Sequence, residues 1–302
     1  MTYKEIIACL SSLDLSTYPS EKVEELIGRL GKFGIIQMTL HKGKVILRSR
    51  PMNFGQRFST RSELSYVPAI NNKSYQRAST PNQTMFYGAV IPEGISIGEL
   101  DNARIIAALE TSYLLRNIGQ DGEQPVTFSK WEVSCDIPLV AICYHKDFLT
   151  KSSHTKELYD SFQNSIADLP KELRERTFEI TEFFAGQFAK KPMEHDYDYM
   201  ISAIFSEVCT RKGMAGVYYP SIRADAKGYN IAILPHFADH CLRLVAAGEC
   251  TIYKRGEETI VDNDTICTIT DDTQPLIYSL VEKEFHIGRE QIMQEFAKKV
   301  TT

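Results

Sequence analysis

The sequence predicts a globular chain of mixed helices and strands, on three observations. Apolar stripes at helical spacing recur along the chain, as in Val23, Leu26, Ile27 and Leu30. Short apolar runs bounded by turn residues, such as Thr84 to Ile91 and Ala215 to Tyr219, read as strands. Finally, 43 % of the 302 residues are hydrophobic, enough for one large domain or a core with a smaller appendage.

Taken in order, residues 3 to 32 read as two helices, the second starting near Ser20 and ending at Gly31. They form an N-terminal helical appendage, residues 1–33, to a domain spanning 34–302. Ile35 to Leu40 and Lys44 to Arg50, joined by His41-Lys42-Gly43, suit a hairpin whose second strand delivers Arg48 and Arg50 before Pro51 stops it. Residues 51 to 83 are polar and irregular, a loop length more often functional or mobile than accidental. Thr84 to Ile91 is then a buried strand carrying Tyr87, and a helix follows from about Asn102 to Arg116. Further strands are expected at 125–134 and 138–144, and helices at 155–167, 171–190 and 197–211. Strands at 215–219, 229–234, 250–254 and 259–268 precede a closing helix at 288–299 with Ile292, Met293 and Phe296 inward. Trp131, Phe183, Phe184 and Phe188 are assigned to the core, and Asp262, Asp264, Asp271 and Asp272 to solvated turns.

Charge is unevenly placed. The net charge is -5, yet residues 48 to 77 hold Arg48, Arg50, Arg57, Arg61, Arg77 and Lys73 against the single acid Glu63. Guanidinium forks grip phosphate oxygens in pairs, so this strip suggests a site for a phosphate-bearing nucleotide, the plain alternative being a solvated basic loop. Glu110 projects from the apolar face formed by Ala103, Ile106, Ala107, Tyr113 and Leu114. A carboxylate there needs a cation or donors, either as a catalytic group or as a structural Glu–Arg bridge.

Other chemistries are disfavoured. The acidic overall balance argues against non-specific binding to nucleic acid. The chain has neither a Gly-x-Gly-x-x-Gly nor a phosphate-loop motif. His236 and His240 stand four apart, but the glutamate of a His-Glu-x-x-His site is missing, so no metal is expected. The seven cysteines, Cys9, Cys135, Cys143, Cys209, Cys241, Cys250 and Cys267, form an odd set without Cys-x-x-Cys and read as reduced residues, not as a disulfide framework. With no signal-peptide pattern and no membrane-length apolar run, a cytoplasmic location is expected.

Four stretches in order resemble a known family. Ile46-Leu47-Arg48-Ser49-Arg50, Arg77 with Phe86-Tyr87, Ala107-Ala108-Leu109-Glu110, and Gly213 through Tyr219-Pro220-Ser221 to Gly228-Tyr229-Asn230 are similar to the motifs of RES-domain proteins. The match covers roughly residues 44 to 235. Gln76-Arg77-Ala78-Ser79-Thr80-Pro81-Asn82 departs from the family's Gly-Arg-x-Asn-Pro-x-Gly, and Pro92, Gly94 and Gly98 mark an inserted loop.

The resemblance implies an α+β fold akin to ADP-ribosyltransferases, with a split mixed sheet flanked by helices. It also implies cleavage of the nicotinamide–ribose bond of NAD, by phosphorolysis or hydrolysis, in a toxin restrained by an Xre-type helix-turn-helix antitoxin. NAD is then substrate and inorganic phosphate a co-substrate, with no resident cofactor. Carried onto this chain, Glu110 stabilises the oxocarbenium-like ribose or orients the nucleophile, Arg48 and Arg77 hold the pyrophosphate with Arg50 as helper, Tyr87 stacks on nicotinamide, and Ser221 hydrogen-bonds ribose or phosphate. Two other readings stay open: a degenerate RES domain that binds nucleotide or RNA, and a transferase acting on a macromolecule. Oligomeric state is open as well, a homo-oligomer included.

Overall fold

The computed structural model describes residues 1–92, 102–117, 119–142, 145–190 and 194–300, and within them ten strands form a sheet of two unlike halves. In chain order come α1 (Tyr3–Ser12), α2 (Ser20–Gly28), β1 (Ile36–Leu40), β2 (Val45–Pro51), the short α3 (Arg61–Leu64), β3 (Phe86–Val90), α4 (Ala103–Thr111) and α5 (Tyr113–Arg116). Next are β4 (Gly122–Val133), β5 (Ile137–Ala141), α6 (Ser153–Ile166), α7 (Lys171–Ala189) and α8 (Met200–Arg211). The remainder holds β6 (Gly216–Pro220), β7 (Tyr229–Ile233), α9 (Pro235–Cys241), β8 (Leu242–Arg255), β9 (Glu258–Thr268), β10 (Ser279–Leu280) and α10 (Arg289–Val300). The protein is therefore a mixed α+β fold with a large mixed sheet flanked by helices.

Strand order is β1-β5-β6-β7-β3-β2-β4-β8-β9-β10, and only β5 and β6 run parallel. β2 and β3 share just one registered pair, Leu47 with Ala89, whereas β2 and β4 are in register from Val45 to Pro51. The sheet thus narrows to a seam between a mixed half, β1-β5-β6-β7-β3, and an antiparallel half, β2-β4-β8-β9-β10.

Alternation of side chains along the mixed half feeds two cores. Val140, Val217, Tyr219 and Ala232 face a helical layer that includes Ile6, Leu26, Phe184, Ile201 and Phe205. Leu139, Tyr218, Ile231 and Ile233 face the opposite way and pack with Trp131, Leu244 and Ala247 of the antiparallel half. Residues 1–33 belong to the first of these cores: Ile6, Leu10, Val23 and Leu26 are at most 1 % exposed. α4 packs in a third cluster, with Ile106, Ala107 and Ala108 buried alongside Ala89, Phe128 and Ile252.

Several expectations are corrected. The two runs either side of His41-Lys42-Gly43 form strands but not a hairpin, because β1 pairs with β5 while β2 pairs with β3 and β4. The reason lies in the turn after β4. Asp136 accepts the Lys42 amide at 2.9 Å, and the Gly43 amide donates to the Val133 carbonyl at 2.8 Å, so the two connections brace each other as both chains change halves. Cys135 and Cys241 are joined in a disulfide rather than reduced, since that same turn lies against the start of β8, where Ser134 N donates to the Cys241 carbonyl. Asp262 is no solvated turn residue: it sits buried in β9 and accepts the amides of Ile287 and Gly288 at 2.8 and 2.9 Å ahead of α10. The helix expected through Arg116 breaks at Ser112, whose hydroxyl instead caps α5. The loop expected around Gly94 and Gly98, and Cys143, lie outside the described residues. Among the described residues no helix is long and apolar enough to cross a membrane.

Candidate functional site

At the seam a cavity of about 390 Å³ opens between β2, β3, α4 and β7, lined among others by Arg48, Arg77, Tyr87, Glu110, Arg116, Arg223 and Asn230. Its geometry depends on how closely α4 approaches the β6–β7 connection. A Cβ on Gly228 would stand 2.2 Å from Ile106 Cδ1 and 2.5 Å from Ile106 Cγ1, so glycine lets Ile106, and the helix that carries it, settle there without a shift. One helical turn beyond Ile106 comes Glu110, which this packing brings to Ser221 and Asn230.

Glu110 is held on one side. Its Oε1 accepts from Ser221 Oγ at 2.6 Å and from Asn230 Nδ2 at 2.7 Å. Its Oε2 faces Arg223 Nε at 3.7 Å, too long for a direct hydrogen bond. Ser221 is itself fixed: its hydroxyl accepts the Ala224 amide at 3.2 Å and its amide donates to the Gly228 carbonyl at 2.7 Å. In the same connection Asp225 and Ala226 hold φ of 51° and 62°, the left-handed region that non-glycine residues seldom adopt. Such conformations persist where the surroundings over-determine them.

The arginines are held without carboxylates. Arg48 donates from Nη1 to the Tyr87 carbonyl at 2.6 Å and lies 5.5 Å above the Phe86 ring, while its Nε is buried without a partner. Burial, then the charge of Arg50, pushes its pKa down to about 10, which leaves it charged at neutral pH. Arg77 donates to the Phe188 carbonyl and stacks 5.0 Å from the Tyr199 ring. Arg116 donates from Nε to the Ser112 carbonyl at 3.2 Å, and its pKa is lowered by burial and then by Arg223. Among the described residues none of Arg48, Arg77 and Arg116 meets a carboxylate at ion-pair distance. The cavity therefore carries several cations and one anchored anion, an arrangement that attracts a phosphate-bearing ligand.

Tyr87 has a double place. Its ring is part of the wall, and its hydroxyl meets Ser79 Oγ at 2.5 Å and accepts the Ala78 amide at 3.3 Å. That ties down the Gln76–Ser79 bridge and thereby positions Arg77. Burial raises the Tyr87 pKa to about 12, so the phenol stays protonated at neutral pH.

Of the residues singled out in the sequence, Glu110, Arg48, Arg77 and Tyr87 line one cavity, and Ser221 lies beneath it, fully buried on Glu110. Arg50 is turned away: it stacks 5.1 Å from the Phe58 ring and donates to the Glu63 carbonyl. The basic strip is thus divided, because Arg57 pairs with Glu249 and Arg61 with Asp272. Asn230, Arg116 and Arg223 were not assigned a role from the sequence. Asn230 stood inside the Gly228-Tyr229-Asn230 stretch and Arg223 two residues past Ser221, whereas Arg116 lies beyond the helix break and no periodicity points to it.

A larger groove of about 600 Å³ crosses the antiparallel half and meets the cavity at Leu47. Its Arg104 is already engaged, donating to Asn263 Oδ1 at 2.9 Å and Cys250 Sγ at 3.0 Å. Asp262, Asp264 and His286 bring ligand atoms within 4.8 Å of one another, but none of them lines the cavity. No protein-family model matches the chain, and no curated protein matches it either.

Proposed function

We propose that this protein is an ADP-ribosyltransferase-like enzyme of the RES-domain type that cleaves the nicotinamide–ribose bond of NAD, with phosphate or water as acceptor. The observation that carries the reading is the state of Glu110: one oxygen held by two neutral donors, the other 3.7 Å from Arg223 in a cavity where, among the described residues, Arg48, Arg77 and Arg116 meet no carboxylate. The seam between the sheet halves is the second support, since it suits a split-sheet fold of that kind.

In the reaction the C1′–N bond breaks, and its electron pair leaves with the pyridinium nitrogen, which becomes neutral in free nicotinamide. Positive charge then develops on the ribose, where Glu110 lowers its energy electrostatically. Neutral donors on Oε1 suit this task, because they orient the carboxylate without cancelling its charge. Arg48 and Arg77 would take the pyrophosphate, and Tyr87 the nicotinamide face. A phosphate oxygen or water then bonds to C1′; with water, the released proton goes to Glu110 or solvent. Ser221 acts as a positioning residue rather than as a nucleophile: its hydroxyl donates to the Glu110 carboxylate and accepts the Ala224 amide, which leaves Glu110 the group that faces the ribose. Loss of cellular NAD would make such an enzyme toxic and a restraining partner necessary.

The test is release of nicotinamide from NAD by the purified chain, with and without phosphate, followed by product identification. Glu110→Gln should lower the rate on the order of a hundredfold while the unfolding midpoint holds. Silence of the wild type under both conditions, or near-normal turnover in the variant, would remove the assignment. Label passing from NAD to a protein or RNA would instead identify a macromolecular acceptor.

A further inference from the structure

A second, smaller cavity lies against the first and differs from it in having no acid in its wall among the described residues. It measures about 210 Å³ and is lined by Arg77, Arg116, Arg223 and Lys190 on apolar walls of Leu109, Leu115 and Ile222. The three arginines face both cavities, whereas Lys190 lines the second and not the first. Acids act from outside: Glu110 stands 3.7 Å from Arg223, Asp198 acts through its field on Lys190, and Asp147 and Asp225 share the wall of a third cavity with Lys190, Asp225 being paired with Lys151.

Crowding cations around a partly apolar cavity is unfavourable, since each raises the cost of charging the next. Arg116 registers that crowding, its pKa lowered by burial and then by Arg223, whereas in Lys190 burial alone lowers the pKa against the field of Asp198. An anion of charge two, seated among the four, would relieve it. The space suits a tetrahedral oxyanion with some water, and the guanidinium forks suit paired oxygens.

We infer that this cavity is a separate oxyanion subsite, formed by Lys190, Arg116 and Arg223 with Arg77 at its mouth, that takes a phosphate dianion while the neighbouring cavity is occupied by its own ligand. The phosphate is either free or the monoester end of a small organic molecule. Only the choice of NAD as the neighbouring ligand rests on the proposed function; phosphate binding by the chain alone, and its loss in a Lys190 variant, are read without NAD.

Titration of the full-length chain with inorganic phosphate, read by calorimetry and by phosphorus NMR line-broadening, tests it directly. Lys190→Met should weaken phosphate binding about tenfold, as expected for loss of one charged hydrogen-bonding partner. NAD affinity should be unchanged in that variant, and Lys190→Arg should restore phosphate affinity, which separates lost charge from a damaged fold. Saturating NAD should leave phosphate binding in place. Ribose 5-phosphate binding more tightly than inorganic phosphate identifies the organic source; equal or weaker binding identifies the free ion. The inference is overturned if the wild type fails to bind phosphate at millimolar concentration, if Lys190→Met binds it as the wild type does, or if NAD expels it.

Discussion

Two glutamates at arginine-rich positions show what separates a site from a brace. Glu249 in β8 is 7 % exposed, and both its oxygens are taken: Arg57 donates to them at 2.8 and 2.6 Å, and Thr265 adds a hydrogen bond at 2.7 Å. Burial alone would raise its pKa, but the Arg57 and Thr265 hydrogen bonds outweigh it and hold the carboxyl below the usual glutamate range. Glu110 on α4 has its donors on one oxygen only, and its arginine stands off at 3.7 Å. A closed pair adds stability and offers nothing to a ligand; an open one keeps its field directed into the cavity. Both belong to the same fold, so the difference comes from placement: Glu249 lies within the antiparallel half, Glu110 at the seam.

The widest break of this comparison crosses the two residues. Glu110→Gln should lower turnover on the order of a hundredfold and spare stability, and Glu249→Gln should do the reverse, costing about 1–3 kcal/mol through a weakened hydrogen-bond network. Chemical denaturation and nicotinamide release, measured on both variants, read the two effects. The pH dependence sharpens it. Because the folded pKa of Glu249 lies below its unfolded value, its contribution is full above the unfolded value and is lost as pH falls through the folded one. Wild-type stability should therefore drop more steeply on acidification than that of Glu249→Gln. Equal acid limbs would show that the Arg57 pair adds little.

A smaller effect is expected from the residue that lets Glu110 reach its partners. Gly228→Ala places a methyl group into the Ile106 side chain, so Ile106 must turn or α4 must move away from the β6–β7 connection. Turnover should fall about tenfold through misplacement of Glu110, with about 1–3 kcal/mol of overpacking. Ile106→Ala in the same chain makes room and should recover part of the rate. Full activity in Gly228→Ala alone would mean that Glu110 does not need this registry.

Local anomalies were legible in the sequence, and long-range pairings were not. Glu110 was visible because a carboxylate on an apolar helical face is a local anomaly, and Trp131 and Phe184 because local patterns report burial. Pairing is a long-range property, so nothing in Ile35 to Arg50 revealed that the two strands part company at Gly43, or that Cys135 would meet Cys241 across 106 residues. The arginine strip misled for a similar reason. Proximity in sequence made one cluster of Arg48, Arg50, Arg57, Arg61 and Arg77, but each went to the partner its own segment met, Glu249 for Arg57 and Asp272 for Arg61. Asn230 was legible only as part of a motif, since an asparagine in a fully buried strand has no periodicity of its own.

The smallest expected effect comes from the pair most alike in sequence. Arg48 and Arg50 lie two apart in β2 and so share a face of the strand. Arg48 lines the cavity with a free Nε, whereas Arg50 is stacked on Phe58 and bonded to the Glu63 carbonyl. Arg50→Met should therefore change the KM for NAD less than about twofold and cost under about 1 kcal/mol of stability from the lost ring contact. Arg48→Met is the control, with KM raised about tenfold by loss of a charged donor to phosphate. If the two variants instead raise KM alike, Arg50 must leave Phe58 when NAD binds, and the 51–83 loop would have to move with it.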